Sequence, residues 1–386
     1  MRVCLVTTAF PRWLGDGDGA FVGELARTLV QHGIQIRVVA AHSPKLPTYE
    51  KMGDIEVIRP RYWWPEHLEM LRREPGGLPI SLQKYPLARV QILSFVLVHA
   101  LNTARYARSC DVIHAHWTLS AGVACLGRWS HRRPVLATVQ GSDVLQVPRH
   151  PIGAWLTRII LSSSDLITAL SYALKRKLCE LGIKPEKILI VPNGVDITRF
   201  VPIEERFRED FILFVGSLIQ RKGVRYLLEA MAEISKIFPG YRLIIAGDGP
   251  EAKFLKWKVN ELGISKQVDF VGFQSQDGVR ALMQRARVLV LPSLEEGMGV
   301  VLVEAMACGT PVVASRVDGI LDVVTPDVGV LVPPKDPMEL AKGIRTILEN
   351  PIRWKEYSHQ ARARAVNYYS WDRIASQFVE IYRSLI

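Results

Sequence analysis

Two glutamates in the segment PSLEEGMGVVLVEAMACGTPVVA (292–314) have a spacing that suits recognition of a sugar joined to a nucleotide. Glu296 follows an apolar run that predicts a strand over Val288–Leu291, and Glu304 lies in a helix predicted from about Gly299 to Cys308. At a rise of about 1.5 Å per residue, the two carboxylates are on the order of 12 Å apart. That is about the span from a ribose to a hexose across a diphosphate, so each carboxylate can accept hydrogen bonds from one sugar.

Gly297, Met298, Gly299 and Val300 lie between the two carboxylates at the predicted start of the helix. Unpaired N–H groups at a helix N-terminus bind anions, and a diphosphate would occupy that place. Two isolated glutamates would more often be a loop residue and a solvated helix residue. In this context, with a strand before and a helix after, the binding interpretation is favoured.

Strands and helices alternate along the whole chain, and this order predicts where the glutamates lie. The strand cores ILFV, RLIIA and VLVL are continuous apolar runs, which are typical of parallel strands covered on both faces. The pattern occurs twice, so the predicted fold is α/β, with two doubly wound Rossmann-like domains facing each other across a cleft. Strands are predicted at Arg2–Thr7, Gln35–Ala40, Ile55–Arg59, Val112–His114, Val135–Thr138, Leu166–Ala169, Ile188–Val191, Phe211–Gly216, Arg242–Ala246, Val268–Val271, Val288–Leu291, Val312–Ala314 and Val330–Val332.

The join between the domains is predicted near VPNGVDITRF (191–200), where a turn leads into a polar stretch. The first domain is predicted over 1–197 and the second over 198–367. After Asp336 the pattern indicates helix only, and the last part, 368–386, is a candidate to pack back on the first domain.

Composition excludes several classes of protein. The chain has 386 residues, of which 48% are hydrophobic and 23% charged, as in globular proteins rather than disordered or fibrous ones. Its five cysteines form no CxxC pair, which argues against a disulfide framework or a cysteine zinc site and suits a reducing cytoplasm. No signal peptide or spanning helix is predicted, because the most apolar run, Val90–Ala104, is short and interrupted.

The positive charge is concentrated in the first half of the chain. Residues 1–200 hold 25 basic and 15 acidic residues, whereas residues 201–386 hold 24 and 23. The first half is therefore expected to have an anionic partner, and a nucleic acid is disfavoured because no recognised nucleic-acid-binding module is present. The segment RPRYWWPEHLEMLRR (59–73), which leads to the apolar stretch Val90–Ala104, instead suggests peripheral docking of the first domain on an anionic membrane. The alternative is that Trp63 and Trp64 pack in the core and the arginines are solvated. Its basic and aromatic residues are Arg59, Arg61, Arg72, Arg73, Tyr62, Trp63 and Trp64.

The 292–314 segment resembles the retaining glycosyltransferases of GT-B fold in family 4, also called glycosyltransferase group 1. Their signature is a pair of glutamates separated by seven residues, in a Ser-x-x-Glu-Gly-Phe-Gly context that Met298 departs from. Further segments similar to that family are VGSLIQRKG (215–223), AGDGP (246–250), VDFVGF (268–273), VPNGVD (191–196), HAHW (114–117), TVQGSD (138–143) and the glycine-rich loop before Gly19.

The resemblance implies a role for each matching residue. Glu296 orients the transferred hexose, Glu304 holds the ribose, and Lys222 with the Gly297–Val300 amides stabilises the diphosphate. His116 contacts the donor sugar from the first domain, whereas His114 is a packing residue. The nucleotide sugar is further contacted by Gly19, Ser217, Arg221 and Phe273.

The chain departs from the family pattern at two of these places. Ser217 stands where relatives carry an arginine, with Arg221 as a partial substitute, and Gln140 stands where they often have histidine. Asp16-Gly17-Asp18 spells a metal-binding DxD motif, but its glycine-flanked loop argues against a metal. No metal or other cofactor is expected.

These residues together predict transfer of a hexose from a nucleoside-diphosphate sugar to a sugar or lipid-linked acceptor, with retention of configuration. The enzyme is expected in the cytoplasm or on the inner face of the cell membrane. A sugar-nucleotide epimerase, a phosphorylase-like enzyme and a catalytically silent scaffold of the same fold are the alternatives. The base, the sugar and the acceptor are not predicted.

Overall fold

The computed structural model describes residues 1–13, 15–72, 78–147 and 150–386. They form two compact units: the first comprises Met1–Leu170, Leu174–Val191 and Ile374–Ile386, and the second Ser171–Ala173 and Pro192–Arg373. Each unit is built on a largely parallel sheet, which confirms the predicted α/β class. The continuous part of the second unit, Pro192–Arg373, includes the range 198–367 predicted for the second domain.

The first unit holds a sheet of eight strands in the order β3-β4-β2-β1-β5-β6-β7-β8. All neighbours are parallel except β3 and β4. The sequence did not indicate β3, because its residues Tyr-Glu-Lys-Met form a short, polar edge strand with no buried face. The strands are β1 Arg2–Thr7, β2 Gln35–Ala40, β3 Tyr49–Met52, β4 Ile55–Ile58, β5 Val112–His116, β6 Val135–Val139, β7 Leu166–Ala169 and β8 Ile188–Ile190.

Helices follow most strands of this sheet. They are α1 Ala20–Gln31, α2 Leu78–Lys84, α3 Pro86–Tyr106, α4 Thr118–Leu126, α5 Arg128–His131, α6 Ser142–Leu145, α7 Pro151–Ser162 and α8 Tyr172–Glu180. By length and composition alone, the stretch Pro86–Ser109 could cross a bilayer, contrary to the expectation for this region. Two polar residues of this stretch, Gln91 and His99, do not interrupt the helix. Their side chains are buried and bind the carbonyls of Leu68 and Ala40 at 2.7 and 3.1 Å.

The second unit holds six parallel strands in the order β11-β10-β9-β12-β13-β14. The strands are β9 Phe211–Val215, β10 Arg242–Ala246, β11 Val268–Gly272, β12 Val288–Leu291, β13 Val312–Ser315 and β14 Gly329–Val332. The helices are α9 Val224–Ile237, α10 Ala252–Glu261, α11 Gln276–Arg285, α12 Val300–Ala307, α13 Asp318–Leu321, α14 Pro337–Leu348, α15 Pro351–Tyr369 and α16 Trp371–Leu385.

Each sheet has a point at which the winding reverses. In the first, β1 lies between β2 and β5; in the second, β9 lies between β10 and β12. Loops leave such a pair of strands in opposite directions and open a crevice at their carboxyl ends, where ligands of doubly wound sheets bind. Ligand-binding residues are therefore expected in the loops after β1, β5, β9 and β12.

The C-terminal helix α16 returns to the first unit from Ile374 onward. Its Tyr382 hydroxyl lies 2.7 Å from Nδ1 of His114, whose Nε2 lies 2.6 Å from the Thr138 hydroxyl. Phe378 packs beside the same imidazole. His114 is thus a buried packing residue that joins α16 to β5.

Candidate active site

The loops after β9 and β12 lie directly against each other in the second unit. Gly223, which precedes α9, has a positive φ of 65°, and a Cβ added there would lie 2.1 Å from the carbonyl oxygen of Pro292. The Leu294 N–H donates to the carbonyl of Arg221 at 2.7 Å. Only glycine fits at position 223, where the two loops touch. Their close packing brings Lys222 to the loop that carries Glu296.

Lys222 and Glu296 form an ion pair through Nζ and Oε2. The Ser293 hydroxyl donates to the same carboxylate oxygen at 3.3 Å. Both charged side chains retain some access to solvent. The sequence predicted separate roles for the two residues, and the structure adds that they contact each other.

The loop Gly297–Gly299 leads from Glu296 into α12. Ser171 donates to the Gly297 carbonyl at 2.8 Å, and the Asn193 N–H contacts Sδ of the buried Met298 at 3.4 Å. Within the ranges that the structure describes, no protein acceptor is bound by the N–H groups of Gly297, Met298 or Gly299. The Met298 side chain therefore anchors the loop, while three successive N–H groups remain for an anion.

Glu304 lies in the second turn of α12 and is half-buried. Burial raises its pKa to about 7, and the Arg199 guanidinium opposes that rise only in part. Among the described residues, no hydrogen-bond donor reaches its carboxylate. The separation expected between Glu296 and Glu304 assumed a helix over the whole segment. Because α12 begins only at Val300, that separation does not follow from the helical rise.

Arg199 is the neighbour of Glu304 that the sequence did not single out. Its guanidinium donates to Oε1 of Gln276 at 2.7 Å and to Oδ1 of Asp277 at 3.1 Å. The residue lies in the VPNGVDITRF turn, whose sequence alone indicated only a connection between domains. Its proximity to Glu304 arises from tertiary packing over about a hundred residues of chain.

Three further predicted residues surround this crevice with different exposure. Ser217 is exposed, and Nε of Arg221 is buried without an acceptor in the described part of the chain. Phe273 follows β11 and its side chain is 80% exposed. Because β11 is two strands from β9, Phe273 starts roughly 10 Å from the switch point along the sheet.

His116 ends β5 at the switch point of the first unit. It is buried, and Nδ1 lies 3.2 Å from the side-chain nitrogen of Gln140. Burial lowers its pKa to about 3, so the ring is neutral near pH 7. With Gln140 donating to Nδ1, the proton lies on Nε2, and no acceptor for it exists among the described residues.

Asp143 holds the loop that places Gln140 beside His116. Its carboxylate accepts the N–H groups of Thr118, Gln140 and Gly141, each at 3.0 Å. Burial raises its pKa, and these hydrogen bonds counteract the rise. Asp143 is therefore a positioning residue for the end of β5.

Gly19 precedes α1 in the loop that follows β1. Its φ is 68°, and an added Cβ would lie 2.4 Å from the carbonyl oxygen of Ala9. Phe21, two residues on, contacts the His116 ring edge-on with centroids 6.5 Å apart. The structure thus brings the Gly19 loop close to His116 within the first unit.

The carboxylates of the DxD motif are bound to arginines. Asp16 accepts from Nε of Arg12 at 2.7 Å, and Asp18 forms an ion pair with Arg72. Within the described ranges, no group of three or more potential metal ligands is found.

The 59–73 segment does not form the basic aromatic surface that its sequence suggested. Arg59 and Tyr62 are buried, and Arg72 is paired with Asp18. Trp63 packs against a hydrophobic cluster, so of the aromatic residues only Trp64 is fully exposed. Arg73 lies outside the described residues. Burial of Arg59 and Tyr62 argues against this segment as a docking surface, because the sequence pattern did not reveal which side chains face the core. Contact of the protein with a membrane stays a prediction.

Comparison with known proteins agrees with this geometry. Residues 198–365 match the family model described as glycosyl transferases group 1, and residues 15–199 match the model described as glycosyltransferase family 4. An MMP alpha-(1->4)-mannosyltransferase of Mycolicibacterium hassiacum is 34% identical, with 100% of this chain and 98% of that protein covered.

Two solved structures share the fold. Sucrose-phosphate synthase from Thermosynechococcus elongatus has a TM-score of 0.83 at 24% identity, covering 100% of this chain and 98% of that one. The Anabaena protein HepE, solved in complex with UDP, has a TM-score of 0.76 at 21% identity, with both chains fully covered at 100%. Both comparisons identify the GT-B architecture.

Proposed function

The chain belongs to the group 1 glycosyltransferases of family 4, and we propose that its second unit binds a nucleoside-diphosphate sugar through Lys222, Glu296, Glu304 and the amides that begin α12. The family predicted from the paired glutamates is confirmed. The protein is an enzyme that transfers a hexose from a nucleotide sugar to an acceptor. The roles of individual residues in donor binding and catalysis are proposed.

The contact between Lys222 and Glu296 carries this proposal. The two charges neutralise each other beside three N–H groups that bind no acceptor among the described residues. An incoming diphosphate would take over Lys222 and leave the Glu296 carboxylate free to accept a hydroxyl of the sugar. Donor binding thereby converts one internal ion pair into two contacts with the substrate.

Stabilisation of the leaving group is the main catalytic task. Cleavage of the sugar–phosphate bond leaves the electron pair on the diphosphate, whose charge rises in the transition state. Lys222 and the Gly297–Gly299 amides meet that charge with groups already in place. Resemblance to retaining relatives implies attack from the face of the departing diphosphate, with a phosphate oxygen taking the acceptor's proton, so no protein base is assigned.

Glu304 is proposed to hold the ribose. Its carboxylate has no donor among the described residues, and its raised pKa shows that burial disfavours the charged form. Two ribose hydroxyls would supply the missing donors and favour ionisation. Phe273, exposed at the end of β11, is proposed to contact the base.

His116 is proposed to act as a neutral hydrogen-bond donor to a sugar hydroxyl. Its buried Nε2 has no acceptor in the described part of the chain, and an unsatisfied buried donor costs roughly 1–3 kcal/mol. Gln140 fixes the tautomer by donating to Nδ1. Binding of a hydroxyl oxygen would satisfy that donor.

The acceptor is proposed to be a sugar or a lipid-linked molecule, handled in the cytoplasm or at its membrane surface. Catalysis without a metal ion is also proposed, since Lys222 and the amides provide the positive potential that the diphosphate requires. Full activity in EDTA supports this, and activity lost in EDTA but restored by Mg²⁺ or Mn²⁺ contradicts it.

Thermal-shift measurements with UDP-, GDP- and ADP-sugars test donor binding, because a ligand stabilises the fold according to its affinity. Product analysis with and without acceptor then separates the activities. Transfer yields a glycoside and a nucleoside diphosphate only with acceptor, an epimerase converts the donor without one, and a silent scaffold gives no product.

A further inference from the structure

Four helices of the first unit form one continuous outer layer, which we call the α3–α7 face. Gly127, at the end of α4, lies against α3, where an added Cβ would be 3.2 Å from the Ala100 oxygen. Gly122 of α4 lies against α7, where an added Cβ would be 3.2 Å from Cδ1 of Ile160. The short helix α5 follows Gly127 directly, so α3, α4, α5 and α7 are neighbours.

The outer side of α3 carries a line of exposed apolar residues: Val90, Leu93, Leu97 and Leu101. Their spacing of three or four residues places them on one side of the helix. The opposite side is packed, with Phe95 buried in the core of the unit. The exposed line is therefore not the buried face of an ordinary amphipathic helix.

Exposed apolar side chains continue on the neighbouring helices. Leu126 and Trp129 are exposed at the end of α4 and on α5. On α7, Ile152, Trp155 and Ile159 are exposed at helical spacing. Contiguous apolar surface of this kind marks an interaction site, whereas scattered single residues would need no explanation.

The charges of the α3–α7 face have a single sign. The stretches 86–109, 118–133 and 150–163 contain no aspartate or glutamate. The acids that follow these stretches directly are already bound: Asp111 accepts the Arg2 N–H at 2.7 Å, and Asp165 forms an ion pair with Arg128. The arginines of these stretches are Arg89, Arg105, Arg108, Arg128, Arg132, Arg133 and Arg158.

We propose that the α3–α7 face docks the enzyme on an anionic lipid bilayer. Apolar side chains and tryptophans insert at the headgroup level, and nearby arginines are attracted to the anionic surface. A second copy of the chain suits this face poorly, because a symmetric contact would oppose arginines to arginines. The bilayer offers both the apolar and the negative partner.

The proposed docking face extends the proposed function to a lipid-linked acceptor. The lipid-linked acceptor rests on the proposed function, because it requires transfer of a sugar. Docking of the α3–α7 face on a bilayer does not require sugar transfer. Vesicle binding is therefore measured without nucleotide, and nucleoside diphosphate binding is measured without vesicles, so each proposal can fail separately.

The apolar part of the face is tested by co-sedimentation with phosphatidylcholine vesicles that contain phosphatidylglycerol. The variant with Leu93→Glu and Trp155→Glu is compared with a control carrying Ile352→Glu and Trp257→Glu on the second unit. The exposed fractions match, at 74% for Leu93 and Ile352 and at 60% and 57% for Trp155 and Trp257. We expect the first variant to bind at least roughly tenfold more weakly and the control to bind within about twofold of the wild type.

The electrostatic part is tested with Arg105→Gln and Arg132→Gln, against Arg206→Gln and Arg353→Gln on the second unit. We expect the first pair to weaken binding on the order of tenfold at low salt and much less at high salt. Folding of every variant is checked by circular dichroism and thermal unfolding, which do not depend on the proposed donor site.

Three outcomes overturn the proposal. They are no sedimentation with anionic vesicles at low salt, equal binding to pure phosphatidylcholine, and a dimer in solution that Leu93→Glu with Trp155→Glu dissociates.

Discussion

The two units present different chemistry at equivalent places. In both, a glycine with positive φ starts the first helix after the central strand: Gly19 before α1 and Gly223 before α9. At the β9/β12 switch point the neighbouring groups are the charged pair Lys222 and Glu296, with three backbone N–H groups that bind no acceptor in the described part of the chain. At the β1/β5 switch point the corresponding group is His116, buried and neutral.

This difference indicates a division of labour. Partly accessible charges can be taken over by a charged ligand, and the second unit thus suits a diphosphate. A buried neutral N–H offers one directional hydrogen bond and no net charge, which suits a sugar hydroxyl. Substitutions at the two switch points should accordingly affect different parts of the reaction.

The largest effect of the kinetic variants is expected for Glu296→Gln. Loss of the carboxylate removes a contact that strengthens as the sugar carbon gains positive character, so kcat should fall roughly 10²-fold while KM changes little. Steady-state kinetics measures both values, with the adjacent Glu295→Gln as a control. A kcat within about twofold of the wild type would show that Glu296 does not orient the sugar.

A smaller effect is expected at the other switch point. His116→Asn should lower kcat/KM on the order of tenfold, the range for loss of one hydrogen bond to a neutral partner. Because the pKa of His116 is about 3, the wild-type pH profile should show no step between pH 5 and 8 that this substitution removes. Such a step would mean that His116 works as a charged group.

The third prediction concerns pH and the ribose. Glu304 has a pKa of about 7 in the free protein, so its charged fraction falls as pH drops from 8 to 6. Nucleotide affinity should fall in the same direction, by up to about tenfold, because ribose hydroxyls bind the charged carboxylate best. Calorimetry on the wild type and Glu304→Gln isolates this contribution, and an identical pH dependence in both would contradict the assignment.

A gain of affinity is expected for Ser217→Arg. An added guanidinium near the diphosphate should tighten nucleoside diphosphate binding by roughly 1 kcal/mol, provided that the place is free. Ser217→Gln serves as an uncharged control. Unchanged or weaker binding in titrations of the arginine variant would indicate that Arg221 or another group already occupies the position.

The fold could be predicted well because its strands are continuous apolar runs. The second strand of each sheet, Gln35–Ala40 and Arg242–Ala246, has the predicted bounds. The edge strand Tyr49–Met52 was missed, since its residues are mostly polar and none is buried. Local pattern thus identifies strands with an apolar run and overlooks a strand without one.

The sequence predicted only those site residues that lie in recognisable motifs. The contact of Lys222 with Glu296 joins residues far apart in sequence, and the neutrality of His116 follows from burial; neither can be read locally. Apolar residues lie all around α3 rather than on one side, so its sequence did not indicate which side packs on the protein. The sequence predicts docking through residues 59–73 and the stretch Val90–Ala104, whereas the structure buries Arg59 and exposes apolar residues of α3.

Calorimetric titration of nucleoside di- and monophosphates tests the central claim, that the β9/β12 switch point binds the diphosphate, most directly. Lys222→Met removes the cation, the double variant with Glu296→Gln also removes the uncompensated carboxylate, and Arg225→Met is the matched cationic control. The wild type and the control should bind the diphosphate at least roughly tenfold more tightly than the monophosphate. Both Lys222 variants should lose that preference; a preference retained in the double variant would contradict the account.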